Sequence, residues 1–136
     1  MRYDDKRKAG DLIVKLFLIL GAVNAMLAVA LGAFGAHGLE GKIPEKYLQI
    51  WQTGVQYHMY HALGLIAVAL IASKLTDAGS VTAAGWLMFA GIVLFSGSLY
   101  VLSLTQISVL GAITPLGGVA FIAAWIMVVV SAVKYL

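Results

Sequence analysis

Apolar residues dominate four long stretches of the chain, Leu16–Ala36, Tyr57–Ser73, Val81–Leu104 and Ile113–Val133, separated by shorter polar connections. Each stretch is close to the roughly 20 residues that carry a helix across about 30 Å of hydrocarbon. None shows the strict alternation of a strand, and lipid offers no partner to backbone groups left unpaired, so all four are predicted to be helices. The pattern predicts an all-α fold, an integral membrane four-helix bundle, forming one domain over residues 1–136 with spans at about 16–36, 57–73, 81–104 and 113–133.

The longest polar stretch, from His37 to Gln56, has internal structure. Pro44 suits a helix start, and the residues after it form a short amphipathic segment bearing Tyr47 and Trp51, expected as an interfacial helix at about 44–54 between spans 1 and 2. It either runs straight into the second span or bends at Gly54. The connections Lys74–Ser80 and Thr105–Ser108 are short enough to make successive spans antiparallel neighbours, and Pro115 fits the start of the fourth.

Charge sets the expected orientation. Arg2, Lys6, Arg7, Lys8, Lys15, Lys74 and Lys134 fall on one side of such a bundle, and only Lys42 and Lys46 on the other. Seven against two predicts both termini inside, in a bacterial plasma membrane or, for a eukaryotic chain, the mitochondrial inner membrane. The basic cluster before the first span also resembles the start of a secretory signal, but the apolar run is too long for one and reads as a retained helix. The same cluster fits topology control and contact with anionic lipid; no nucleic-acid partner is expected.

Composition narrows the chemistry further. Hydrophobic residues make up 62% of the chain and charged residues 11%, and cysteine is absent, which removes disulfides, thiolate metal sites and cysteine nucleophiles. No carboxylate lies within an apolar run, no serine stands in a nucleophile elbow, and no glycine-rich loop follows a strand. The absence of an intramembrane acid argues against proton coupling, although an oligomeric small transporter or channel stays open as a weaker alternative.

Small residues recur at packing distance. Gly21, Ala25, Ala28, Gly32 and Gly35 share a face of the first span, Ala84, Gly91 and Ser98 repeat at sevens on the third, and Gly117, Ala120 and Ala124 form a lesser set on the fourth. These faces admit close helix approach, within one chain or against a membrane-protein partner or second copy. Asn24 and the Ser96-Gly97-Ser98 cluster are expected to make hydrogen bonds between helices.

The remaining candidate chemistry lies between Gly32 and His61, which holds all three histidines. His58 and His61 are neighbours on a helix surface, and His37 lies just beyond the end of the first span, so a cluster of His37, His58 and His61 with Gln52, Gln56 and Tyr57 is a candidate ligand or hydrogen-bond site. Three imidazoles, with water or Glu40 in a fourth position, suit zinc or copper. A quinone or haem contact is a further alternative, and no cofactor is predicted outright. The competing reading is a hydrogen-bonded clasp that fixes the hairpin of spans 1 and 2.

The runs Gly32-Ala33-Phe34-Gly35-Ala36-His37-Gly38-Leu39 and Trp51-Gln52-Thr53-Gly54-Val55-Gln56-Tyr57-His58-Met59-Tyr60-His61-Ala62-Leu63, with Ser96-Gly97-Ser98-Leu99-Tyr100 and Thr114-Pro115-Leu116-Gly117-Gly118, resemble the YgdD/YwdK family. That family comprises small multi-pass membrane proteins of unknown function and is similar to transmembrane-protein-256-type proteins. The resemblance implies a four-helix inner-membrane protein without an assigned activity, and marks Gly35, His37, Gly38, Gln56, His58, His61, Gly97, Pro115 and Gly117 as motif positions. It does not extend over Met1–Asp11. Together these readings point to a non-enzymatic protein working through protein or lipid contacts, as an accessory subunit of a larger assembly, with the ligand site as the alternative.

Overall fold

A computed structural model describes residues 2–136. Its four long helices match the four apolar stretches: α1 (Tyr3–Leu39), α2 (Glu45–Ala72), α3 (Gly79–Thr105) and α4 (Thr114–Tyr135), the last preceded by a 3-10 turn at Ser108–Ala112. All four are long and apolar enough to cross a membrane.

α1 begins well before the predicted span. Asp4 and Asp5 occupy its first turn, where carboxylates complement the helix dipole, and Asp4 pairs with Lys8 one turn on at 3.0 Å. At 37 residues α1 measures about 55 Å, longer than the bilayer needs. Its partner positions show where the surplus lies. Gly21 faces Ala62 and Ile66, Gly32 faces Val55, and Gly35 faces Trp51, an antiparallel register that leaves the charged first turns projecting past the end of α2.

The second difference concerns the stretch at 44–54. It is not a separate interfacial piece but the first turns of α2, which runs unbroken from Glu45 to Ala72. Of the two alternatives the straight run holds, and the reason lies in its neighbours: Gly54, the place of the alternative bend, is buried against Tyr100 and Leu99 of α3, while Leu48 and Trp51 are buried with Leu39 in a small core of their own. Trp51, expected as a surface anchor, is only 2% exposed and donates its indole N–H to the Leu31 carbonyl at 2.9 Å.

The connections use ordinary turn chemistry. Gly41, at φ 75°, turns the chain after α1, and Gln106 takes the left-handed conformation after α3 while its N–H returns to the Leu102 carbonyl. Asp77 accepts the Gly79 N–H at 3.0 Å at the start of α3.

Hydrophobic transfer does little to join helices already in hydrocarbon, so close packing must do that work. α1 lies along α2, α2 against α3, and α3 along α4. The main core gathers Phe17, Leu65, Val68, Met88, Ile92 and Phe121. The small-residue faces are spent inside the chain. Gly85 accommodates the ring of Phe17, Gly91 that of Phe121, and Gly117 the backbone of Phe95. Two helices also change register. Backbone bonds of the i to i+5 kind wind Gly35–Leu39 and Ile92–Gly97 as π turns, shifting the side chains beyond them onto a different face.

Candidate functional site

The polar side chains of the spans form two short chains of hydrogen bonds on either side of α2. In the first, Asn24 of α1 donates through Nδ2 to the Leu20 carbonyl at 2.8 Å. That fixes its Oδ1 as an acceptor, and His58 Nε2 lies 2.9 Å away. His58 must therefore carry hydrogen on Nε2, and as a neutral ring accepts the Tyr100 hydroxyl hydrogen on Nδ1, again at 2.9 Å. A single imidazole so ties α1, α2 and α3 together.

The second chain joins α2 to α4. His61 Nδ1 lies 2.7 Å from the Tyr57 carbonyl, an acceptor, so Nδ1 carries the hydrogen. Its Nε2 accepts the indole N–H of Trp125 at 3.1 Å. Because an indole N–H only donates, His61 is a neutral ring of the opposite tautomer to His58. Its face stacks on Phe121 with centroids 3.5 Å apart and planes 9° from parallel.

Hydroxyls complete the stitching. Ser96, in the π turn of α3, donates to the Gly54 carbonyl of α2 at 2.8 Å, and Ser98 meets Thr114 of α4 at 2.7 Å. No buried side-chain nitrogen or oxygen among the described residues lacks a partner. In hydrocarbon such satisfaction is a condition of folding, since an unpaired buried polar group costs about 1–3 kcal/mol.

The cluster expected from the sequence is accordingly divided. His58 and His61, both 4% exposed, turn to different helices, and His37 is exposed at the π turn that ends α1. The three imidazoles do not gather, and among the described residues no group of three His, Asp or Glu side chains is placed to hold a metal ion. Both nitrogens of His58 and of His61 are engaged in hydrogen bonds within the protein. Gln52 and Gln56 are exposed beside a shallow polar cleft formed with Gln49 and Thr53 between α1 and α2. Gln56 donates to the Tyr60 hydroxyl at 2.8 Å. Tyr57 contributes its carbonyl to His61 and its ring to Phe95, centroids 4.6 Å apart.

Of the packing positions, Gly21, Ala28, Gly35, Ala84, Gly91 and Ser98 are buried, while Ala25 and Gly32 are half-buried. Sequence reasoning missed Tyr100 and Trp125 as histidine partners and Gly54, Gly64 and Gly85 as close-approach positions. Gly64 was legible as a small residue in an apolar run, but nothing in the sequence tells that the Met88 sulfur rests on it.

Comparison with known proteins agrees with this architecture. A family profile described as a protein of unknown function, DUF423, matches residues 31–118. The chain is 80% identical over 123 residues to the UPF0382 membrane protein YwdK of Bacillus subtilis, a match covering 90% of this chain and all of the relative. UPF0382 membrane proteins of Staphylococcus haemolyticus and Staphylococcus saprophyticus are 55% and 56% identical over 122 and 121 residues, covering 90% and 89% of this chain and 98% and 99% of theirs. No solved structure matches. Four membrane-spanning helices and bacterial membrane relatives along nearly the whole chain together make this a multi-pass inner-membrane protein, and the chain belongs to the DUF423 family of proteins of unknown function.

Proposed function

We propose that the protein is a non-catalytic membrane component that acts by lateral contact with another membrane protein, as an accessory subunit, with both termini in the cytoplasm. The observation that carries this reading is an asymmetry of burial: 44% of the most apolar stretch is buried within the chain for α2 and α3, but only 22% for α1 and α4. The inner helices bury twice the share that the outer two do, and the outer two turn apolar side chains such as Met26, Val29, Val119 and Val129 outward. Internal satisfaction of the polar groups supports the same reading, because among the described residues no buried side-chain nitrogen or oxygen is left without a partner. Seven Lys and Arg at the end bearing the termini, against two at the other, support the orientation.

The absence of cysteine makes the test clean. Single cysteines at Met26, Val29, Val119 or Val129 are expected to crosslink in native membranes into discrete adducts larger than the monomer, whereas Val81→Cys, in the core, forms none. A membrane-impermeant maleimide added to intact cells should label Lys42→Cys and spare Asp77→Cys. Monomer alone at every outward position would contradict the contact reading, and the reverse labelling pattern would contradict the orientation.

A further inference from the structure

Beside the His61–Trp125 pair, a groove of about 570 Å³ opens between α2 and α4, floored by Phe95 of α3. Six of its lining residues carry rings: Tyr57, Tyr60, His61, Phe95, Phe121 and Trp125. It lies within the spans, so whatever enters it comes from the bilayer, and its volume is that of a small-molecule site. The aromatic surfaces suit a flat ring, which they contact by offset or edge-to-face stacking.

Two hydroxyls distinguish this groove from a mere slot for an acyl chain. Tyr57 and Tyr60 are both exposed, and the one protein contact of their hydroxyls among the described residues is the Gln56 N–H that Tyr60 accepts, which leaves the Tyr60 hydroxyl hydrogen and the Tyr57 hydroxyl to a ligand. Tyr60 stands in the first turn of the second predicted span, one helical turn below the exposed Gln56. A hydroxyl donor at that end of the span favours a bilayer ligand that carries an acceptor on its ring. His61, with both nitrogens held inside the protein, supplies only its ring.

We propose that the groove binds a prenylated para-quinone, its ring lying among Tyr57, Tyr60 and Trp125, one carbonyl oxygen accepting the Tyr60 hydroxyl hydrogen, and its tail leaving between α2 and α4 into the bilayer. The proposal concerns binding alone and stands apart from the lateral-contact reading. It differs from a three-histidine site in using the rings and hydroxyls around His61 rather than the imidazole nitrogens.

Gly118 allows the groove to be filled without disturbing the fold, because a β-carbon there meets nothing closer than Phe95 Cδ2 at 3.9 Å. Full-length protein in lipid nanodiscs would be titrated with a naphthoquinone bearing one prenyl unit and, separately, a benzoquinone bearing a decyl chain, with tryptophan fluorescence as readout. Saturable quenching by at least one probe is expected, weakened about tenfold in Gly118→Leu and several-fold in Tyr60→Phe. A saturated isoprenoid alcohol of equal tail length should not compete. Absence of saturable quenching, identical titrations in wild type and Tyr60→Phe, or full competition by the alcohol would overturn the proposal, the last by showing a general lipid slot. Tyr60→Phe removes one exposed hydroxyl and keeps the ring, so the test holds even if Gly118→Leu fails to fold.

Discussion

Replacing Gly117 by alanine is expected to produce the largest loss of stability available to a single methyl group in this protein. A β-carbon at Gly117 overlaps the backbone nitrogen of Phe95 and comes within 2.7 Å of its Cα. Neither atom belongs to a side chain that can swing aside, so α3 and α4 must separate along the face that holds them together. Overpacking costs about 1–3 kcal/mol where side chains can yield and more where backbone must move. We expect Gly117→Ala at or above the top of that range in reversible unfolding with increasing sodium dodecyl sulfate. Gly118→Ala, one residue on, is expected within about 0.5 kcal/mol of wild type, the range for substitutions that touch no such feature. Equal stability of the two variants would show that the α3–α4 contact is not as close as described.

His58→Phe is expected to have the second largest effect, for an electrostatic rather than a steric reason. Phenylalanine keeps an aromatic ring in the space but removes both hydrogen bonds, leaving Asn24 Oδ1 and the Tyr100 hydroxyl without a partner between three helices. Each unsatisfied group costs about 1–3 kcal/mol, although hydrogen bonds measured between membrane helices average about 0.6 kcal/mol because the separated helices find other partners. A net loss of about 2 kcal/mol is expected. In a double-mutant cycle, Asn24→Leu combined with His58→Phe should cost less than the sum of the single changes, because the second removes a group the first has already stranded. Strict additivity would place Asn24 and His58 out of contact.

These two sites show how far sequence carried. The spans were legible because lipid permits few solutions to four apolar runs of that length, and Asn24, His58 and His61 stood out as polar groups in apolar segments. Their partners were not legible. Tyr100 and Trp125 read as the amphipathic rings that decorate any membrane interface, and nothing local marks them as hydrogen donors to particular histidines. The π turn at Ile92–Gly97 adds a second obstacle, since a shift of one residue rotates the rest of the helix by about 100° and breaks the face on which Tyr100 would be sought. The three-histidine cluster came from sequence proximity between His37 and the start of α2. The antiparallel register instead places Gly35 at Trp51, so that α1 meets His58 through Asn24, three turns earlier. Trp51 reads as a surface anchor for a related reason: its amphipathic segment ends against Leu31 and Gly35, and no sequence period reveals that a glycine on another helix has left room for an indole.

Both histidines of α2 have each ring nitrogen engaged within the protein, His58 toward α1 and α3 and His61 toward its own helix and α4. Nitrogen-15 solid-state NMR of histidine-labelled protein in lipid bilayers, with His37→Gln simplifying the spectrum to two rings, tests this directly. The predicted result is two neutral imidazoles of opposite tautomer, His58 carrying hydrogen on Nε2 and His61 on Nδ1. Two rings of the same tautomer, or either ring doubly protonated in the bilayer at neutral pH, would contradict it.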